Sequence, residues 1–192
     1  MVPAVLFLIE EELAIPQPQI AILIILNALV FVFSNRPEFD DHFVASIRNL
    51  ESGRWWCVAL SEIAHHDLNH FSLNMICLFS IGPIVAEILN GKYEILIFYV
   101  AAGVTGSLMQ LLVNPHVGSL GASGALFAFD GLIITKIVMD PRFTLVEFFW
   151  PIFETVIIMA IEIEEDWNEE RNIAHWAHFG GAIFGCYWAL NN

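Results

Sequence analysis

Basic charge is what this sequence has least of. Seven lysines and arginines stand against 21 aspartates and glutamates in 192 residues, a formal net charge of −14. So acidic a chain repels nucleic acid and anionic lipid headgroups, which removes nucleic acid from the expected partners. Charge of either sign is scarce, at 15% of residues, while 57% are hydrophobic and the mean hydropathy is +0.67. A soluble domain of this length does not need so much apolar surface. Cysteine is also short: Cys57, Cys77 and Cys186 are odd in number and scattered, without CxxC or finger spacing, so neither a disulfide framework nor a zinc finger is expected. What remains is an integral membrane protein with its acidic residues in solvated loops.

The apolar residues fall into runs of membrane-spanning length. A bilayer core of about 30 Å takes about 20 helical residues. Six such runs are expected, near 20–33, 70–88, 93–113, 121–138, 143–161 and 172–190, the first of them short. Residues 1–19 form a separate short N-terminal segment and 20–192 the membrane-embedded domain. The segment Met1 to Leu8 is too short to span and has no basic flank, so it is read as neither a signal peptide nor a transmembrane helix. Between the first two runs, Ser34 to Asn69 mixes Arg36, Arg48, Arg54 and Glu62 with Phe39, Phe43, Trp55 and Trp56. That mixture predicts an ordered first loop at the membrane interface, where tryptophans favour the headgroup level. Lys92, Lys136 and Arg142 stand at or just after the ends of the second and fourth runs, which places those turns and both termini in the cytoplasm. Arg36, Arg48 and Arg54 on the opposite side oppose that assignment.

Chemistry enters at Gly121-Ala122-Ser123-Gly124, where a serine between glycines opens an apolar helix. Small residues at such a place also serve as plain packing surface, so the motif alone is weak. It gains meaning from His178, in Ala177-His178-Phe179-Gly180-Gly181 inside another apolar run, because an ionisable group there is costly. Serine and histidine are the minimum for base-activated nucleophilic attack. His178, Gly181 and Gly185 share one helical face, and Gly181-x-x-x-Gly185 is a small-residue seam whose natural partner is the helix that begins at Gly121 and Gly124. The third cluster is His65-His66-Asp67-Leu68-Asn69-His70, with Asn74 one turn after His70. His70 and Asn74 project from one face and can serve a developing oxyanion, together with the Ser123 backbone N–H. For His65 and His66, helix capping or bonds to loop carbonyls serve as well as function does.

Together, His65-x4-His70-x3-Asn74, Gly121-x-Ser123-Gly124 with Phe127 four residues on, and His178-x2-Gly181-x3-Gly185 resemble the rhomboid intramembrane serine proteases over roughly residues 20–190. The resemblance implies an all-α, polytopic six-helix bundle with a long interfacial first loop. It implies a Ser123–His178 dyad without an acidic third member, an oxyanion site helped by His70 and Asn74, and helix packing through the glycines. It also implies transmembrane-protein substrates, cut where a helix unwinds near the outer face, with no cofactor and no metal. Phe127 is the aromatic expected to orient the histidine. The fifth run, with Phe148, Phe149, Trp150, Pro151 and Phe153, is the expected lateral gate. The expected location is a prokaryotic plasma membrane, and no oligomeric state is implied.

One departure stands in the first loop, where Cys57 follows Trp56 and the family often has an arginine. Arg54 is the nearest substitute. Three competing readings remain: a rhomboid-like protein that binds membrane helices without cutting them, a transporter using Asp130 and Glu154, and a histidine-box metalloenzyme built on His66-x3-His70 and His175-x2-His178. The last needs more histidines than the seven present.

Overall fold

A computed structural model describes residues 17–91, 93–140, 149, 153, 157 and 174–192. Among these residues the fold is helical, without strands. Helix α1 (Pro18–Phe31) starts on a proline whose fixed φ suits the first turn. Its buried Asn27 donates to the Leu23 carbonyl at 2.8 Å and to the Tyr99 hydroxyl at 3.5 Å, which ties α1 to the helix carrying Tyr99.

Residues 32–67 are built from short pieces: α2 (Phe39–Phe43), α3 (Ile47–Glu51), α4 (Cys57–Leu60) and a 3-10 turn at Ser61–Ile63. Side chains hold the pieces together. Asn49 donates to the carbonyls of Asp40 and Val44 at 2.7 and 2.8 Å, and Ser46 caps α3. Arg54 pairs with Asp41 at 3.2 Å, a brace within the loop. Cys57 is fully buried beside Val58, Ala45 and Leu111, so the position where an arginine was expected is occupied by a small apolar group. An antiparallel bridge between Ala45 and Ser119, with both N–H···O bonds at 2.9 Å, stitches this segment to the chain just before Ser123.

Four longer helices follow. Helix α5 (Leu68–Leu89) is capped by Asp67, which accepts from the His70 N–H at 2.9 Å, and ends at Asn90 in the left-handed conformation. Helices α6 (Glu94–Val113), α7 (Ser123–Met139) and α8 (His175–Asn191) complete the described bundle. The core runs through Leu78, Ile81, Phe98, Tyr99, Phe129 and Leu132, yet Ile25, Leu29, Phe79, Ile97 and Leu112 are exposed. Helices apolar on both faces suit a lipid surround.

Among the described residues, α5 and α6 are the two helices long and apolar enough to cross a bilayer. Helices α7 and α8 have 17 residues each and α1 has 14. The expected fifth span at 143–161 lies outside the described residues except for Phe149, Phe153 and Ile157, which are helical and exposed. The rings of Phe149 and Phe153 stack at 5.9 Å. Glu154 also falls outside, as does segment 1–16, while Asp130 is buried on α7.

Candidate active site

Ser123 is the first residue of α7, and the turn ahead of it is set by Gly121. That glycine has φ +117°, a conformation that L side chains rarely adopt, and a Cβ there would lie 2.6 Å from His70 Cε1. The backbone therefore passes directly over the His70 ring. Its N–H donates to the Ser61 carbonyl at 2.9 Å, and the next N–H, of Ala122, donates to His65 Nε2 at 3.4 Å. With Nε2 accepting, the His65 proton sits on Nδ1. Burial, reinforced by the neighbouring His70, lowers the His65 pKa to about 3, which keeps that imidazole neutral. The rings of His65 and His70 meet edge to face at 4.9 Å.

From the other side, α8 brings His178 to the serine. Ser123 Oγ and His178 Nε2 are 2.7 Å apart, and both residues are buried. Phe127, one turn below Ser123, stacks on the His178 ring at 4.6 Å with 11° between the planes. The approach depends on α8 having no side chain at two points. A Cβ on Gly181 would collide with the Gly124 carbonyl, and one on Gly185 with the Ala128 carbonyl. Gly124 differs, because a Cβ there would meet nothing closer than 3.6 Å. The seam is thus made by the α8 glycines against α7 carbonyls.

Asn74 is buried on α5 one turn below His70, and its Nδ2 donates to the His70 carbonyl at 2.8 Å. Its Oδ1 has no partner among the described residues. One Nδ2 hydrogen remains for another acceptor. His66 turns away to the surface, where Nε2 lies 2.9 Å from Asp40 Oδ1. His66 and His70 therefore do not converge, and among the described residues no three His, Cys, Asp or Glu side chains are placed to hold a metal ion.

Sequence reasoning did not single out the polar cluster behind this turn. Ser61, Glu62, Ser107 and Ser119 are all buried and linked: Ser107 donates to Glu62 Oε1 at 2.9 Å, and the hydroxyls of Ser107 and Ser119 are 2.8 Å apart. Gln110 bonds the carbonyls of Asn114 and Val117 and accepts from the Trp176 N–H at 3.1 Å, joining α6 to the start of α8. The available signal was a Ser-Glu pair just ahead of His65 and small residues Gly103, Gly106 and Ser107 on one face of an apolar run.

Chemically, a buried hydroxyl at hydrogen-bond distance from an imidazole, at the N-terminus of a helix with unpaired backbone N–H groups, can be deprotonated as it attacks and can have a negative oxygen stabilised beside it. The rhomboid domain family matches residues 52–191, which contain all of these groups. The chain belongs to the rhomboid family. Rhomboid protease GluP of Bacillus subtilis is 30% identical over 141 residues, covering 73% of this chain and 26% of GluP. RHOMBOID-like protein 12, mitochondrial, of Arabidopsis thaliana is 29% identical, covering 87% of this chain and 56% of its own length. The human presenilin-associated rhomboid-like protein, mitochondrial, is 28% identical, covering 84% and 45%. This rhomboid chain thus spans from about a quarter to just over half the length of these relatives. Family membership makes it a helical membrane protein with a protease among its relatives.

Proposed function

We propose that this rhomboid is an intramembrane serine endopeptidase working through a Ser123–His178 dyad. The observation that supports this most is the 2.7 Å Oγ–Nε2 distance in a buried site. The stacked Phe127 supports it further. His178 accepts the Ser123 proton as Oγ attacks a substrate carbonyl. The tetrahedral oxyanion is stabilised by the Ser123 N–H and by donors from His70 and Asn74. Collapse expels the amine, which takes the proton from His178, and leaves an acyl-enzyme. A water activated by the same imidazole then releases the acid. No step requires a cofactor.

In acyl-transfer triads a third carboxylate normally orients the base. Here Phe127 stacking and the glycine seam of α8 take over that task. Substrates are transmembrane helices that unwind before cleavage, since a helical peptide carbonyl is already bonded to an N–H. The six-span arrangement, with the interfacial first loop and a gate in the fifth span, completes the reading. Residence is in a membrane with both termini cytoplasmic. The similarity gives no preference between the expected prokaryotic plasma membrane and a mitochondrial one, because relatives of both origins match.

The test is labelling by a serine-directed fluorophosphonate in detergent or liposomes, with Ser123→Ala and His178→Ala as controls. Labelling of wild type that vanishes in both variants supports the dyad. A folded wild type that neither labels nor cuts a helical reporter favours a rhomboid that binds helices without cleaving them.

A further inference from the structure

Beside the serine turn lies a buried acid that the dyad chemistry does not use. Glu62 is 3% exposed in the 3-10 turn. Ser107 of α6 donates to its Oε1 at 2.9 Å, Ser61 Oγ lies 3.2 Å from the same oxygen, and the Tyr99 hydroxyl donates to its backbone carbonyl at 2.6 Å. The other carboxyl oxygen, Oε2, fills the space that a side chain at Gly103 would need, and it would lie 3.6 Å from a Cβ on Gly124, next to Ser123. The carboxyl is therefore wedged between α6 and the first turn of α7. Its neighbours carry the same turn from behind: Ser61 accepts from the Gly121 N–H, and Ser107 reaches Ser119, whose backbone is bridged to Ala45.

We propose that Glu62 is a positioning residue: as a neutral carboxylic acid it holds residues 119–124 in place and so sets the Ser123 hydroxyl against His178. The role rests on the protease reading given above. Its chemistry follows from proton counting. Ser61 has one hydroxyl proton, and its oxygen lies within reach of the Val58 carbonyl, Glu62 Oε1 and Ser107 Oγ at 3.1, 3.2 and 3.3 Å. A carboxylic acid supplies a further donor to this cluster, whereas a carboxylate only accepts. The salt bridges found among the described residues do not include Glu62. From α6 the titratable group facing it is Tyr99. The packed elements also carry Cys57 on α4, Glu94 nine residues before Gly103 on α6, and Asp130 and Lys136 on α7, six and twelve residues beyond Gly124. At 1.5 Å per residue the three carboxyl and ammonium positions are about 9 Å or more along their helices, and Cys57 is buried. Burial accordingly raises the Glu62 pKa to about 8, and the two serine hydroxyls only partly offset it.

The experiment compares fluorophosphonate labelling rates of wild type, Glu62→Gln and Glu62→Leu between pH 6 and 9.5, with thermal melts across the same range. Glutamine keeps the shape and a donor but does not titrate. The ratio of wild-type to Glu62→Gln rate cancels any pH dependence the two proteins share. It is expected to be near one at pH 6 and to fall about tenfold by pH 9, as the neutral fraction of a group titrating near 8 falls. Glu62→Leu, which cannot serve the two serines, is expected to label slowly at every pH. The folded-state pKa lies above the unfolded one, so the wild-type melting temperature should fall relative to Glu62→Gln as pH rises from 6 to about 8, then level off. A wild type that labels with a rate ratio flat in pH would overturn the role of Glu62 and leave the dyad standing. A wild type that labels at no pH would overturn the dyad and this role together, while the melts still report whether Glu62 is buried as the neutral acid.

Discussion

Two surfaces hold Ser123, and they are made differently. On the α8 side, contact is backbone against backbone, with Gly181 and Gly185 lying on the carbonyls of Gly124 and Ala128. On the loop side, contact is through polar groups: the buried Ser61 carbonyl, His65 Nε2 and Glu62 cluster, and the half-buried His70 ring. The first kind has no titratable part and tolerates almost no added volume. The second can accept some change of shape but depends on protonation. Position of the base is thus fixed by sterics, while position of the nucleophile is fixed by hydrogen bonds.

The largest effect comes from removing either member of the dyad. Ser123→Ala and His178→Ala are each expected to lower cleavage of a helical reporter by at least about 10³-fold, and the double variant by little more, since such residues act as a unit. Additive losses in the double variant would mean that the two side chains act separately. Next comes the steric surface. Gly181→Val places a Cβ where the Gly124 carbonyl already sits and adds two methyl groups to it, so α8 must move. Overpacking of this kind costs about 1–3 kcal/mol. A displacement of about 1 Å at the dyad costs about 10²-fold in rate. Melting and labelling measured together check this, and a variant that melts lower yet labels at the wild-type rate would show that the seam does not set the dyad distance.

Phe127→Leu tests the steric side more gently. It removes the ring stacked on His178 but leaves an apolar side chain of similar reach. A loss of about tenfold in kcat with KM nearly unchanged is expected, because the base loses orientation and not its hydrogen bond. On the polar side, His65 makes a smaller and pH-dependent contribution. Its folded-state pKa is depressed, so stability it supplies is present above about pH 6.5 and is lost as pH falls toward about 3. His65→Gln, which can still accept from the Ala122 N–H, should flatten the fall in melting temperature between pH 6.5 and 4. An unchanged slope would place the acid sensitivity elsewhere.

The steric surface was readable in the sequence and the polar one largely was not. Gly181 and Gly185 are one helical turn apart, and Ser123 and His178 each stand out in an apolar run, so local spacing reveals them. Helix limits also followed from composition: the runs expected at 121–138 and 172–190 are observed as Ser123–Met139 and His175–Asn191. The cluster around Glu62 joins residues 61, 62, 107 and 119, whose proximity is set by how α6 packs on the loop. No spacing rule connects them, and Glu62 reads in sequence as one more loop charge. His65 was equally opaque because its partner is a backbone N–H, which every residue but proline has.

The smallest expected effect separates the glycines that one motif would group together. Gly124 belongs to the same Gly-x-Ser-Gly sequence as Gly121, yet its geometry resembles neither Gly121 nor Gly181. Gly121 needs positive φ, and Gly181 has a carbonyl where its Cβ would be. A Cβ on Gly124 would make ordinary contacts at 3.6 Å with the Ala177 carbonyl and Glu62 Oε2 and at 3.8 Å with Gly103 Cα. Nothing has to move. Alanine in a helix is favoured over glycine by up to about 1 kcal/mol, so Gly124→Ala should leave melting unchanged or raise it slightly. Labelling of Ser123 should stay within about twofold. Because the new methyl group would touch both the α8 backbone and the Glu62 carboxyl, this variant also probes both surfaces at once. A loss of labelling with melting preserved would show that the space between them is more tightly held than these distances imply, and that the serine turn relies on small residues on its polar side as well.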